Sequence, residues 1–217
     1  MQSKHLGLRG LNRDVIKYIA MFTMLLNHIA NIFLTPGTAA HVILVDIGYF
    51  TAPVMCFFLV EGYHYTHSKK RYALRLFLFA VLSEFPFCLA FSETYNGVEG
   101  ISFCGFNMIF TLFLCFCILL VREYVMDVGM KMLLIAGLVI LSMFSDWVLL
   151  APVFTLLFAW AGKDWEKVKR AFVMGTVLFA FSGFTPGAGG RETLLSLSEA
   201  LLSAGGVALA GIVVVCF

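Results

Sequence analysis

Apolar runs separated by short polar breaks occupy most of this sequence. They are Val15–Leu34, Val42–Gly62, Tyr72–Phe91, Ile101–Val121, Met130–Phe144, Trp147–Ala161, Ala171–Gly183 and Leu194–Cys216. About 20 mostly apolar residues are needed to cross a hydrocarbon core roughly 30 Å thick. The 217 residues are 61% hydrophobic and 13% charged, where soluble domains carry about 25% charged residues. That composition excludes a soluble fold, a disordered chain and a disulfide-rich secreted module. A net charge of +2 also excludes a nucleic-acid binder, which needs a dense basic surface. The expected fold is an all-α integral membrane protein of about eight transmembrane helices, a single transmembrane domain over residues 1–217. The fifth, sixth and seventh runs are short. The fifth and sixth meet at Ser145 and Asp146 as either a tight hairpin or one long bent helix, so seven spans remain an alternative.

Basic residues orient such a chain, because cytoplasmic loops collect Lys and Arg. Lys4, Arg9, Arg13 and Lys17 flank the first run. Lys69, Lys70, Arg71 and Arg75 precede or open the third. Arg122 and Lys131 lie between the fourth and fifth, and Lys163, Lys167, Lys169 and Arg170 between the sixth and seventh. With eight spans, Arg191 alone falls on the opposite side. Both termini are therefore expected in the cytoplasm, in a multi-pass protein of the cytoplasmic membrane. The first run exceeds the usual 7–15 residues of a signal core and carries Asn27, His28 and Asn31, so it reads as a retained helix. The six cysteines form no CxxC pattern and read as small packing residues.

Ionisable groups inside a membrane cost about 2.5–3.5 kcal/mol on insertion scales and tend to mark function. His28 follows Lys17 by eleven residues, or about 16 Å of helix, and shares its face with Asp14, Met21 and Met24. A lysine snorkelling to the inner interface places His28 near the bilayer midplane. Glu84 lies nine residues beyond Arg75, about 13 Å deep by the same rise. Pro86 then removes the hydrogen bond to the Leu82 carbonyl. Asn107 and Thr111 share one face of the fourth run, toward its middle. Glu61 and His64 sit near the inner end of the second run and Asp46 near its outer end. Glu61, His64 and His67 on one helix make a poor metal cage, so no metal is expected. Ala204, Gly206, Ala208 and Ala210 read as helix-packing faces, and Asp146 as a possible helix cap.

His28, Glu84 and Asn107 come from three runs and fall at similar depth. Lys17, Lys69, Lys70, Arg71 and Arg75 form a basic group below them, with Glu61 beside it. A basic mouth under a buried histidine suits a phosphorylated cytosolic donor. Arginine binds phosphates bidentately at the mouth, and a neutral imidazole takes a proton from an attacking amine or hydroxyl.

The run Lys17-x-x-Ala20-Met21-x-x-Met24-Leu25-x-Asn27-His28-Ile29 resembles the opening of the TraX family. The run Gly48-x4-Pro53-x-Met55-Cys56-Phe57-x-Leu59-Val60-Glu61-Gly62-Tyr63 is similar to that family's second segment. Tyr72-x-x-Arg75-Leu76, Ser83-Glu84-x-Pro86-Phe87, Asn107-Met108-Ile109-Phe110-Thr111-Leu112 and Asp146 follow in order. The resemblance spans roughly residues 12–160. It implies a transmembrane acyltransferase that moves an acetyl group from acetyl-CoA to an amine, such as a protein N-terminus. His28 would be general base or acetyl carrier, with Glu84, Asn107 or Asp14 assisting. Asn27 stands where the family usually has Asp, Tyr49 where it often has Arg, and Cys88 where Asp is common.

A small proton-coupled transporter is the alternative, with His28 and Glu84 as a relay. Transporters usually show two similar halves, and the polar pattern of residues 1–108 has no echo in 109–217. A structural subunit of an envelope complex needs none of the buried ionisable groups. The acceptor and the oligomeric state are left open by the sequence.

Overall fold

The computed structural model describes residues 12–97, 100–186 and 190–216. Lys4 and Arg9 of the expected basic flank lie outside them. The described residues form α1 (Arg13–Phe33), α2 (Ala39–Gly48), α3 (Thr51–Tyr65), α4 (Lys69–Asn96), α5 (Met108–Tyr124), α6 (Val128–Leu141), α7 (Leu150–Ala161), α8 (Trp165–Gly183) and α9 (Gly190–Cys216), with a 3-10 turn at Ser142–Phe144. Among the described residues, four segments are long and apolar enough to cross a membrane: Arg13–Phe33, Ala39–Tyr65, Lys69–Tyr95 and Arg191–Cys216. They mark an all-helical membrane protein. The chain divides into two compact units, Met1–Met55 with Ala161–Phe217, and Cys56–Trp160.

In the first unit, α1 starts where Asn12 Oδ1 accepts the Val15 N–H at 2.9 Å. It packs on α2 and the first turn of α3 through small and hydroxyl side chains. Thr51 Oγ1 donates to the Ala20 carbonyl at 2.9 Å, and the Thr23 and Thr51 hydroxyls lie 3.0 Å apart. Asn27 Nδ2 donates to the Val45 carbonyl at 3.3 Å. A Cβ on Gly48 would stand 2.4 Å from the Asn27 Cβ, so glycine sets how closely α1 approaches α2. The second run is two helices rather than one. Tyr49 and Phe50 close α2 with 3-10-type bonds to Asp46 and Ile47, and Pro53 lacks the N–H that would continue the ladder to the Tyr49 carbonyl. The helix α9 packs on α2 at Gly206, where a Cβ would stand 2.2 Å from the Asp46 carbonyl oxygen. Ser203 Oγ donates to Asp46 Oδ1 at 2.9 Å. Gly211 faces Phe172 of α8, where an added Cβ would lie 3.1 Å from the Phe172 Cβ. The small-residue face expected on the last helix is thus a packing face.

In the second unit, α4 and α5 are joined at one end by Lys69 and Glu123 and at the other by Glu84 and Asn107. Lys69 to Glu84 is fifteen residues and Asn107 to Glu123 sixteen, or about 23 and 24 Å of helix. The two helices are therefore antiparallel and in register. Beyond Glu84, α4 continues to Asn96 without α5 beside it. Residues 100–106 run there instead, fixed to α4 where Ser92 Oγ accepts the Ser102 N–H at 2.8 Å and donates to the Ser102 carbonyl at 3.0 Å.

The fourth run begins helix seven residues later than the apolar pattern suggests. Gly105 has φ +106°, a conformation open to glycine. Asn107 then caps α5, accepting the Phe110 N–H on Oδ1 at 3.0 Å. The fifth and sixth runs are also separate helices. The 3-10 turn and an irregular stretch through Leu149 divide them, and Ser142 Oγ holds the bend with bonds to the Val139 and Val148 carbonyls at 2.7 and 2.6 Å. Asp146 lies four residues ahead of α7 and so is not its cap.

Candidate functional site

Two helix interruptions in the second unit pair with each other. The Phe106 N–H donates to the Phe144 carbonyl and the Asp146 N–H to the Phe106 carbonyl, both at 2.8 Å. This gives a short parallel bridge between Phe106 and Ser145. Buried backbone polar groups require partners, and each break supplies the other's. Thr111 Oγ1 adds a bond to the Asp146 carbonyl at 2.6 Å and lies 3.0 Å from Ser145 Oγ.

The carboxylate of Glu84 holds Asn107, the residue that follows Phe106 of the bridge. Its Oε2 accepts the Asn107 backbone N–H at 3.1 Å and Nδ2–H at 2.6 Å. Asn107 Nδ2 also donates to the Ala80 carbonyl at 2.8 Å, and Cys88 Sγ lies 3.6 Å from Glu84 Oε1. Glu84 and Asn107, expected together from their depth, are thus in direct contact. The position of Asn107 differs from expectation. It is the N-cap of α5 and not a mid-helix side chain. Asn is among the preferred caps, and the preceding Gly105 marks the break.

The bridge residues Phe106 and Ser145 help line a cavity of about 490 Å³ between α4, residues 103–106 and the turn at Met143–Asp146. Phe87, Tyr95, Phe103, Phe106 and Phe144 supply aromatic walls and Asp146 a carboxylate. Burial pushes the Asp146 carboxyl up to about 6, against a smaller opposing pull from the Trp147 backbone N–H. Trp147 has φ +59°, uncommon for a bulky residue. Such strain is held where the surrounding structure fixes it, often at functional sites. Asp146, Gly105 and the aromatic walls were not assembled into a site from sequence. The adjoining Gly105 and Asn107 were the available signal, since both mark helix breaks.

The first unit holds His28, half-buried and inside α1, on the same unbroken helix as Lys17. Asp14 pairs with Lys17 at 3.5 Å. On a continuous helix Asp14 is fourteen residues from His28, about 21 Å, so it makes no direct contact with the imidazole. Asn27 spends its amide on the Val45 carbonyl and on Asn31, whose Nδ2 donates to Asn27 Oδ1 at 2.9 Å. A carboxylate at this position has no hydrogen with which to make the Val45 bond.

The basic residues of α4 divide. Lys69 pairs with Glu123, which also accepts the Tyr63 hydroxyl at 2.6 Å. The Lys69 ammonium lies 4.4 Å from the Tyr63 ring centroid. Lys70, Arg71 and Arg75 are exposed on the first two turns, below the Ser68 cap. Clustered cations oppose the helix dipole at an N-terminus, whereas an anion is favoured there. Glu61 is half-buried on α3. Among the described residues, no three of His, Cys, Asp and Glu come together as metal ligands.

Fold and site together define a class: a helical membrane protein whose polar groups gather where two helices are broken. The TraX protein family matches it over residues 12–212, and the chain belongs to that family. The match includes the last two helices, beyond the motifs that carry the resemblance. A curated relative, the probable fimbrial assembly protein FimC of serogroup H1 from Dichelobacter nodosus, is 32% identical over 146 residues. The alignment covers 66% of this chain and 60% of that protein. No solved structure matches the chain.

Proposed function

We propose that the protein is an acyltransferase of the cytoplasmic membrane that moves an acetyl group from acetyl-CoA to an amine acceptor. The observation that carries this reading is the TraX family match over residues 12–212 with a half-buried histidine inside the first spanning helix. In the reaction the acceptor nitrogen attacks the thioester carbonyl. A C–N bond forms, the C–S bond breaks, and CoA leaves as the thiolate. His28 takes the proton lost by the amine and returns it to the leaving sulfur. Exposed Lys70, Arg71 and Arg75 are suited to the phosphates of the donor, with Arg able to bind them bidentately. Both termini and this basic end face the cytoplasm. The relative's name points to a subunit of a surface fibre as the acceptor class.

The test is incubation of the purified protein in detergent with labelled acetyl-CoA and a fibre subunit bearing a free N-terminus. Label is expected on the acceptor with the wild type and absent with His28→Ala, while circular dichroism shows both folded. Full activity in His28→Ala would remove the histidine from the chemistry.

A further inference from the structure

We propose that the cavity between α4, residues 103–106 and the Met143–Asp146 turn binds a primary ammonium group, with Asp146 as its counter-ion. The inference rests on the acyltransferase reading only for the ammonium's role, as the acceptor's amine end before it is deprotonated. The recognition chemistry stands on the cavity itself.

The volume of about 490 Å³ falls within the range of roughly 300–1,000 Å³ typical of small-ligand sites. Three ligand classes differ in how they meet its walls. An anion finds no lysine or arginine among the lining residues, and it meets the Asp146 carboxylate. A wholly apolar ligand strips water from a carboxylate whose hydrogen-bond donor among the described residues is the Trp147 backbone N–H, which is costly. An ammonium answers both features. It pairs with the carboxylate, and it is attracted to the faces of aromatic rings within about 6 Å. Phe103 and Phe106 meet edge to face at 5.0 Å, and Phe91 stacks behind Tyr95 at 5.1 Å, so these walls are braced by further rings. The Phe106–Phe144 and Asp146–Phe106 backbone bonds fix two of the walls and the carboxylate in one frame. The positive φ of Trp147 lies next to the residue being aimed.

The experiment uses the full chain in detergent and labelled benzylamine, followed by equilibrium dialysis, with benzyl alcohol as the neutral isostere. Benzylamine is expected to bind at least tenfold more tightly than benzyl alcohol. Asp146→Asn should remove that preference, and Phe103→Leu should weaken the amine alone. Equal binding of amine and alcohol, or an unchanged preference in Asp146→Asn with its fold intact, overturns the proposal. Displacement of benzylamine by a free-amine peptide identifies a peptide terminus as occupant, and displacement by phosphatidylethanolamine a lipid headgroup. Either supports ammonium recognition, and displacement by neither overturns it. Amine binding without any acetyl-CoA turnover leaves the site and removes the acyltransferase reading. Turnover with an unchanged acceptor KM in Asp146→Asn does the reverse.

Discussion

Glu84 Oε2 receives both the backbone N–H and the side-chain amide of Asn107, at 3.1 and 2.6 Å. One carboxylate oxygen thus anchors the residue that starts α5. The opposite ends of the same two helices are tied by Lys69 and Glu123. The length between the two ties is nearly equal on α4 and α5, so neither helix can slide without breaking both. The start of α5 is also where residues 100–106 turn to meet the break before α7. Glu84 therefore positions the bridge and, through it, the wall that carries Asp146.

The cap and the clamp are separable. Asn107→Asp keeps an oxygen for the Phe110 N–H but loses the donor to Glu84 and adds a like charge beside it. Asn107→Ser keeps the cap without the charge. Removing a cap costs about 1 kcal/mol, and a lost hydrogen bond to a charged group about 1.5–3 kcal/mol. Asn107→Asp is expected to lower the thermal midpoint in detergent more than Asn107→Ser does. Adding Glu84→Gln should recover part of the Asp loss. Equal midpoints for the two single variants would show that capping alone matters there.

A similar depth for Glu84 and Asn107 was legible in the sequence, and the breaks were not. Glu84 lies nine residues beyond Arg75 and Asn107 was expected toward the middle of its run. The two meet although Asn107 is a cap rather than a mid-helix side chain. Hydropathy continues through Ile101, Phe103, Cys104 and Phe106 as though the helix began there. Nothing in an apolar average registers that Gly105 takes φ +106° or that the Phe106 backbone finds partners at 144 and 146. The break inside the second run is hidden in the same way, since Pro53 interrupts the ladder within a segment, Ala39–Tyr65, that stays apolar enough to span. Lys69 was grouped with its basic neighbours because Glu123 is 54 residues away in sequence. The partner of a charge is a tertiary fact, while the presence of the charge is a local one.

Gly205 and Gly206 give a paired test of helix packing in the first unit. A Cβ on Gly205 meets nothing within 4 Å, whereas on Gly206 it stands 2.2 Å from the Asp46 carbonyl oxygen. Gly to Ala in an open helical position stabilises by up to about 1 kcal/mol, and overpacking costs about 1–3 kcal/mol or more. Gly205→Ala should hold or raise the thermal midpoint, and Gly206→Ala should lower it and weaken docking of α9 on α2. The same midpoint for both would contradict the close approach at Gly206.

Lys69 is engaged by Glu123 and by the Tyr63 ring, while Arg71 and Arg75 are exposed on the same helix. If the donor's phosphates bind at this end, the engaged lysine contributes least. Arg71→Ala or Arg75→Ala should raise the KM for acetyl-CoA roughly tenfold, the equivalent of about 1.4 kcal/mol. Lys69→Ala should raise it less than about threefold, with only a small stability change because surface ion pairs contribute about 0–1 kcal/mol. Steady-state kinetics at fixed acceptor separates the two cases, and a larger effect from Lys69 would reverse the assignment.

Asp146 provides a pH signature of opposite sign for stability and for binding. Its carboxyl is raised from 3.8 to about 6 by burial, so between those values the folded protein holds a proton that the unfolded chain has lost. Stability then falls as pH rises through that window and levels off above it. Among the described residues, the titratable groups that line the cavity with Asp146 are Tyr95 from α4 and Cys104 from the adjoining segment, while Glu84 is bonded to Asn107. Tyrosine and cysteine ordinarily lose their protons well above this window. Asp146→Asn removes the titration, so its thermal midpoint should be less dependent on pH from 4.5 to 7 and exceed that of the wild type most at the upper end. Amine binding should run the other way, since protonating Asp146 removes the counter-ion. Benzylamine affinity in the wild type is expected to fall as pH drops below about 6, and in Asp146→Asn to be weak and flat. Parallel pH profiles of midpoint for wild type and variant would show that Asp146 keeps its ordinary titration and carries neither effect.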